Sequence, residues 1–173
     1  MSQLQKGLLF AVIQVALVSS IGAKLLWDRK TSPRGWAATR GYDPNLPIRG
    51  RYINISLLVK ADTIFLPSPG PAPFLASGSE NVDLAVEKGR VVAIRASRST
   101  GFSVSAPQLR DGEILATLSP PVVYFLPEHA VDPLRSLPAG TLFLEVTIPP
   151  KGPPRPIRFG TRVGSEIVPL GTE

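Results

Sequence analysis

Few residues of this chain could act as catalysts or as metal ligands. His129 is the only histidine and cysteine is absent, so a Ser-His-Asp arrangement depends on His129, and disulfides and thiolate metal sites are excluded. No Gly-x-Ser-x-Gly sequence is present to hold a serine nucleophile on a sharp turn. Glu128 directly precedes His129, and adjacent side chains of an extended segment point to opposite faces, which disfavours a Glu-His dyad. We therefore interpret His129 as a loop residue and predict no catalytic residues.

The carboxylates offer one closely spaced pair that could ligate a cation. Asp111 and Glu113 flank Gly112, and carboxylate oxygens are ligands for hard cations such as Ca²⁺. A surface turn contains the same residue types, and that is the interpretation we prefer. The glycines of residues 67–78 are not followed by a Lys and a Ser that open a helix, so the sequence lacks a phosphate-binding loop. We predict no metal and no cofactor.

One class of enzyme has some support from the order of the elements. A hydrophobic N-terminal segment followed by a proline-rich β domain, together with residues 48–55, resembles the membrane-anchored Ser/Lys peptidases of the signal-peptidase kind. Those enzymes place a serine nucleophile shortly after the anchor, whereas here Ser32 precedes Pro33 without matching surroundings. The base would have to be Lys60 or Lys88. A Ser/Lys peptidase is therefore the alternative hypothesis.

The N-terminal part of the chain contains an uncharged, mostly apolar run from Gly7 to Ala23. It approaches the ~20 residues that a bilayer requires if Lys24 extends its amine to the interface and the next residues complete the span. Trp27 lies where an interfacial aromatic residue is expected. We predict a single transmembrane helix within residues 1–27, followed by one domain in residues 28–173.

A cleavable signal peptide is the competing interpretation of this run. Small residues, including Ser19 and Ser20, precede Ala23 at its end. Ile21, however, is bulkier than the residue usually found at the −3 position of a cleavage site. Gln14 and the two serines could instead line a contact between helices within the membrane. We favour a retained anchor.

The charges around the run give conflicting indications of its orientation. Lys6 precedes the run, whereas several cationic residues follow it: Lys24, Arg29, Lys30, Arg34 and Arg40. A literal count by the positive-inside rule places the C-terminal domain in the cytoplasm. Long domains that follow an N-terminal hydrophobic segment can nevertheless translocate largely regardless of charge. We favour an exported domain, in the periplasm or another extracytoplasmic space.

Composition narrows the fold class of the domain. The chain has 19 prolines in 173 residues, about twice their usual share of about 5%, and their spread excludes long helices after the anchor. An apolar content of 43% is ample for a core. The net charge of +6 could suggest nucleic acid, but the arginines are scattered with little aromatic interleaving, so no nucleic-acid partner is expected. We predict a mainly β protein with one compact antiparallel sheet or sandwich-like domain.

Alternation of apolar and polar residues predicts where the strands lie. Residues 51–60 give the clearest pattern, and residues 82–96 predict a hairpin that turns at Lys88-Gly89. Residues 114–118 and 122–126 predict two strands that either bend sharply at the intervening prolines or belong to different sheets. The remaining predictions are strands at 36–39, 141–148, 157–159 and 166–168, loops at 41–47 and 67–78, and a helical turn at 129–137.

Two short motifs resemble one known family. The segment from Asp43-Pro44 to Arg49-Gly50-Arg51-Tyr52-Ile53-Asn54-Ile55 resembles the Asp-Pro…Arg-Gly-Asp-Tyr-x-x-Leu core of the GDYxxLxY-domain family, and Tyr124-Phe125-Leu126-Pro127-Glu128 resembles its later Tyr-Phe-x-Pro-Glu element. This chain has Arg, Ile and Leu at positions 51, 55 and 57, where the family has Asp, Leu and Tyr. The resemblance implies a small membrane-anchored protein of unassigned biochemical function with an integral membrane protein as its partner. The motif residues are Asp43, Pro44, Arg49, Gly50, Arg51, Tyr52, Tyr124, Phe125, Pro127 and Glu128.

We expect the motif residues to have structural roles rather than to form a ligand site. Gly50 at a strand entrance permits a close approach of the backbone, and Tyr52 is expected to point away from the face that carries Ile53. Glu128 could pair with an arginine of the other motif, at position 49 or 51. We predict a non-enzymatic, membrane-anchored accessory or binding domain that acts with an integral membrane protein.

Overall fold

The structure is a computed structural model that describes residues 3–41, 51–65, 78–126, 141–164 and 166–170. It divides into two units, residues 1–32 and residues 33–173. The first unit is a helix, α1 (Gln3–Thr31), and the second is built from strands. The strands are β1 (Arg34–Gly41), β2 (Arg51–Lys60), β3 (Glu80–Glu87), β4 (Arg90–Arg95), β5 (Ser103–Arg110), β6 (Glu113–Ser119), β7 (Val122–Leu126), β8 (Leu142–Thr147), β9 (Arg155–Val163) and β10 (Glu166–Pro169).

The central segment of helix α1, from Gly7 to Ala23, carries no charged residue on any face. The helix has no proline, and it ends just before Pro33, whose ring disfavours helical geometry in the preceding residue. Within it, the 24 residues Gln5–Asp28 are long and apolar enough to cross a membrane, and none of that segment is buried. A signal sequence has the same length and composition. The helix continues past the predicted end at residue 27, because Asp28, Arg29 and Lys30 are compatible with helix and Thr31 Oγ1 donates a hydrogen bond to the Trp27 carbonyl at 2.9 Å.

The strands form one sheet that closes on itself. Its order is β10-β9-β8-β1-β4-β3-β5-β6-β2-β7, and further pairings of β2 with β1 and with β4 close it into a barrel-like sheet. The β1–β2 contact is antiparallel over four residue pairs from Ala38–Leu58 to Gly41–Ile55. The two β4 contacts, Trp36–Arg90 and Lys60–Val92, are parallel and limited to one pair each. The prediction of a mainly β fold with one compact domain is confirmed.

The interior of the closed sheet holds the main core. On β2, Ile55, Leu57 and Val59 are fully buried and Ile53 packs against them, as the alternation predicted. Strand β8 is buried along all six of its residues. This burial on both faces arises because Phe143 belongs to a second, outer cluster, which consists of Ala38, Leu58, Leu115 and Phe143. The sequence pattern did not predict the outer cluster.

Trp36 connects three strands on the outer surface of the sheet. Its ring lies over Gly160 of β9 so closely that a Cβ at position 160 would be 2.6 Å from the Trp36 Cζ3 atom. The guanidinium of Arg158 lies 5.9 Å from the centroid of the Trp36 ring. Arg158 Nε also donates to Glu145 Oε2 at 2.6 Å. The three side chains therefore link β1, β8 and β9.

The hairpin and the terminal strands are confirmed. Strands β3 and β4 pair from Val82–Arg95 to Glu87–Arg90, and the turn between them has φ of 49° at Lys88 and 75° at Gly89. Positive φ at both central residues is the turn geometry that matches the twist of a two-residue hairpin. Strands β1, β8, β9 and β10 contain the predicted strands at 36–39, 141–148, 157–159 and 166–168, apart from the first and last residues of the second.

Strands β6 and β7 resolve the alternatives that the sequence left open. Both pair with β2 in the same sheet: β6 pairs with residues 58–60 and β7 with residues 51–55. The chain between them, Ser119-Pro120-Pro121, contributes two residues without an N–H donor. The ladder therefore breaks there and resumes farther along the same edge of β2.

Strand β5 was not predicted. It pairs with β3 and with β6, and its register with β6 shifts between Ser105 and Gln108. Ala106 has a φ of 49° at this irregularity, and Pro107 follows it. The bulge interrupts the alternation of inward and outward side chains, and that alternation is the pattern that predicts a strand.

Candidate functional site

The pairing of β2 with β7 brings the two sequence motifs together. Their antiparallel register sets Tyr52 opposite Phe125 and Ile53 opposite Tyr124. The motifs are about seventy residues apart in the chain, and the sequence predicted only a pairing of charges between them. The described part of each motif thus belongs to one two-stranded segment of the sheet.

The inward side chains of this segment belong to the core. Ile55 and Val122 lie opposite each other and are both buried. The Tyr124 ring contacts the Phe159 ring edge-on, with the centroids 4.7 Å apart and the planes at 62°. Such edge contacts between aromatic rings are worth about 0.5–1.5 kcal/mol beyond the area they bury. Tyr124 therefore has a structural role, since it ties β7 to β9.

The outward side chains of the same segment form an exposed apolar surface. Tyr52 is 69% exposed, Phe125 is 52% exposed and Val123 is 51% exposed. The rings of Tyr52 and Phe125 contact each other, with their centroids 5.4 Å apart. We call Tyr52, Val123 and Phe125 the aromatic patch. The outward direction of Tyr52 confirms the prediction from alternation.

The aromatic patch has the properties of a binding surface. Tyr and Phe present large, rigid contact areas, and a Tyr hydroxyl can form a hydrogen bond at the edge of an interface. Single exposed apolar residues are common, but three neighbours on paired strands form a continuous surface. The patch is the candidate functional site of this chain.

Several predicted motif residues lie outside the described residues, so their places are not assigned: Asp43, Pro44, Arg49, Gly50, Pro127, Glu128 and the side chain of Arg51. The loops predicted at 41–47 and 67–78 lie outside them apart from residues 41 and 78, and the helical turn predicted at 129–137 and His129 lie outside them too. The proposed pairing of Glu128 with Arg49 or Arg51 stays a prediction. Arg51 is set opposite Leu126 in the β2–β7 ladder, and positions 49 and 128 are each two residues beyond that pair in sequence.

A group of charged side chains joins the ends of β2, β4 and β6. Lys60 Nζ lies 3.0 Å from Asp62 Oδ2 and 3.2 Å from Glu113 Oε1. Arg90 Nη1 donates to the other oxygen of Glu113. The other oxygen of Asp62 accepts a hydrogen bond from the Ile114 N–H at 2.6 Å. This ion cluster of Lys60, Asp62, Arg90 and Glu113 holds together strands that are distant in sequence.

The ion cluster shifts the pKa values of two of its members. Hydrogen bonds to Asp62 and then to Glu113 raise the pKa of Lys60 above its ordinary value, although desolvation acts in the opposite direction. For Glu113, burial alone raises the pKa, but the hydrogen bond and charge of Arg90, followed by those of Lys60, outweigh it, and the net pKa is lowered. Both groups are thus held in their charged forms at neutral pH.

The contacts of these charged residues bear on two hypotheses from the sequence, the Ser/Lys peptidase and the cation site at Asp111 and Glu113. A catalytic lysine base must be neutral, which requires a lowered pKa, whereas the pKa of Lys60 is raised. Lys60 is therefore the less suitable of the two lysines that the Ser/Lys peptidase hypothesis names, and that hypothesis depends on Lys88 as the base. Asp111 and Glu113 face cations: Asp111 lies 3.4 Å from Arg162 and Glu113 contacts Arg90. Among the described residues, no group of three or more potential metal ligands is found.

Comparison with family models, with curated proteins and with solved structures finds no match for this chain. The resemblance to the GDYxxLxY-domain family, which rests on the two short motifs, stays a hypothesis.

Proposed function

We propose that this protein is a membrane-anchored, non-enzymatic accessory domain that binds an integral membrane protein on the exported side of the membrane. The observation that carries the proposal is the aromatic patch, because Tyr52 and Phe125 come together on the surface where the two motif strands pair. An apolar helix of sufficient length to span a bilayer precedes the domain.

The patch offers enough surface for a weak but specific contact. Tyr and Phe bury roughly 150–250 Å² each when fully enclosed, so covering the exposed parts of Tyr52 and Phe125 removes on the order of 200 Å² of surface from water. At ~25 cal/mol per Å² this is about 5 kcal/mol before the costs of association. Two proteins anchored in one membrane meet at a high effective concentration, which lowers those costs. A small patch is therefore adequate for a partner that shares the membrane.

The helix supplies a second means of contact within the membrane. Gln14 is an uncharged polar residue near the middle of the apolar segment Gln5–Asp28, and an amide can form a hydrogen bond to a neighbouring helix in lipid. Ser20 Oγ donates to the Leu17 carbonyl of its own helix at 2.7 Å, so its donor is already used. Gln14 is the residue that we assign to a contact between helices.

Co-purification from natively expressed, tagged protein in a gentle detergent tests the proposal. We expect an integral membrane protein to be recovered with the wild-type chain and to be lost from the Tyr52→Ala/Phe125→Ala variant. Ile94→Ala is the matched control, because Ile94 is 46% exposed on β4, a strand outside the β2–β7 segment. Recovery of the wild-type chain without any membrane protein, or equal recovery from both variants, counts against the proposal.

A further inference from the structure

The chain between α1 and the domain is very short. Only Ser32 and Pro33 separate Thr31, the last residue of α1, from Arg34, the first residue of β1. An extended chain advances at most about 3.6 Å per residue, so the three steps from Thr31 to Arg34 cover at most about 11 Å. The helical residues after Asp28 add about 5 Å. If Gln5–Asp28 spans a membrane, the start of β1 is tethered within about 15 Å of its surface.

The start of β1 lies at one end of the sheet, together with two connections. The Trp36 N–H donates to the Gly89 carbonyl at 2.8 Å, which places the β3–β4 turn there. The Ile148 N–H donates to the Pro33 carbonyl at 3.0 Å, which places the start of the β8–β9 connection there as well. We call this region the basal end. It comprises Arg34, Lys88-Gly89, residues 148–154 and Arg155.

The basal end is rich in positive charge. Arg34, Lys88 and Lys151 are exposed and Arg155 is half-buried. The register sets Arg34 and Arg155 on either side of Thr147, so these two arginines lie in one row across the sheet. Glu87 beside the turn is an acidic residue at this end.

Other carboxylates near this end already face cations. Asp62 and Glu113 contact Lys60 and Arg90 in the ion cluster. Their negative charge is thus largely balanced within the cluster, and at the basal end Arg34, Lys88, Lys151 and Arg155 outnumber Glu87.

The β8–β9 connection presents its lysine on a stiff loop. Its sequence is Ile148-Pro-Pro-Lys-Gly-Pro-Pro154, in which Pro150 and Pro153 are exposed and Gly152 has a φ of 95°. Proline fixes its own φ and restricts the residue before it. Little backbone conformational entropy is therefore lost when this loop is held against a surface.

We propose that the basal end binds the anionic lipid headgroups of the membrane that α1 crosses, with Lys88 and Lys151 as the principal contacts. The covalent tether keeps these lysines near the headgroups, and each cation near an anionic surface strengthens binding about fivefold. The proposal shares with the proposed function the requirement that α1 spans a membrane, but it needs no protein partner.

Fluorescence quenching of the full chain in lipid nanodiscs tests this surface. The chain has no cysteine, so single labels can be attached through Pro150→Cys at the basal end and Ser97→Cys in the loop after β4. Strands β1 and β4 run parallel, so the loop after β4 lies at the opposite end of the sheet. The quencher is a spin-labelled headgroup, in phosphatidylcholine alone or mixed with phosphatidylglycerol.

We expect the label at position 150 to be quenched more strongly in the mixed lipid, and the label at position 97 to be insensitive to lipid charge. The double variant Lys88→Gln/Lys151→Gln should shift the equilibrium between the domain bound to the headgroups and the domain detached from them about 25-fold. The quenching at position 150 should then return to its level in phosphatidylcholine alone. Arg98→Gln removes one charge at the opposite end of the sheet and should leave the quenching at position 150 unchanged.

Equal quenching of both labels, or quenching at position 150 that neither lipid charge nor the lysine variants alter, overturns the proposal. So does a chain that does not remain in the nanodisc. Because the nanodisc contains no partner, failure here with successful co-purification counts against lipid binding alone. The reverse result counts against the protein partner alone.

Discussion

The contact between Trp36 and Gly160 makes a strong prediction about stability. A Cβ at position 160 would lie 2.6 Å from Trp36 Cζ3, 2.8 Å from Trp36 Cη2 and 3.0 Å from the carbonyl oxygen of Val168. The indole ring must therefore move if Gly160 becomes Ala. A shift of β9 toward β10 cannot relieve this clash, because the Val168 carbonyl belongs to the backbone of that neighbouring strand.

The expected loss of stability on Gly160→Ala follows from the geometry of this contact. Inserting a methyl group into a well-packed site costs typically about 1–3 kcal/mol. The upper part of that range is expected, because a displaced Trp36 ring also loses the Arg158 guanidinium, which lies 5.9 Å from its centroid. For a domain of this size, each kcal/mol lowers the Tm by about 2–4 °C. A loss of about 2–3 kcal/mol therefore predicts that Gly160→Ala lowers the Tm by about 4–12 °C.

The assay is thermal unfolding of the β domain in the detergent-solubilised full chain, followed by circular dichroism at a wavelength where β structure dominates. Gly78→Ala is the matched control, because a Cβ at position 78 would meet no atom within 4 Å, and its Tm should stay within about 2 °C of the wild type. Trp36→Phe removes the outer ring atoms that clash, so Gly160→Ala should cost less in that background. A Tm for Gly160→Ala equal to that of the Gly78→Ala control refutes the reasoning.

Three further predictions concern charges and processing. Because its partners hold the pKa of Glu113 below its ordinary value of 4.5, this carboxylate stabilises the fold above that pH, and the contribution is lost as the pH falls through the lower pKa of the folded state. Glu113→Gln should therefore destabilise the domain by about 1 kcal/mol at neutral pH, and in denaturant melts its difference from the wild type should disappear as the pH falls through that lowered pKa. Glu128→Ala should destabilise the domain by about 3–5 kcal/mol if Glu128 belongs to a buried pair and by under about 1 kcal/mol if the pair is exposed. A double-mutant cycle with Arg49→Ala and with Arg51→Ala should show which arginine is coupled, and additive effects in both cycles would dismiss the pair. Amino-terminal sequencing of the mature protein should find residues 1–27 retained and the chain should resist a carbonate wash, whereas a mature chain that starts near position 24 would show a cleaved signal.

The sequence predicted most strands, because alternation is a local signal that burial on one face imposes. Ile55, Leu57 and Val59 illustrate this, since all three are fully buried on β2. The signal fails at β5, where the bulge at Ala106 interrupts the alternation. It also cannot report closure of the sheet, because the β1–β2 pairing depends on how distant strands meet rather than on either strand alone.

The candidate site was predictable only in part. The outward direction of Tyr52 follows from alternation, but Val122 and Val123 are both apolar, so composition cannot indicate which of them is exposed. Glu113 meets partners that are 53 and 23 residues away in sequence. Such contacts have no local signature, and Glu113 beside Gly112 was interpreted as part of a surface turn for that reason.

The most direct test of the central claim is site-specific photo-crosslinking in the native membrane. A photoreactive benzoylphenylalanine in place of Phe125 keeps an aromatic ring in the aromatic patch, and the same residue in place of Ile94 provides an exposed control on β4. We predict a discrete adduct with an integral membrane protein from position 125 and none from position 94. A membrane-retained chain that forms no adduct from position 125, or the same adducts from both positions, contradicts the claim that this surface binds a membrane protein.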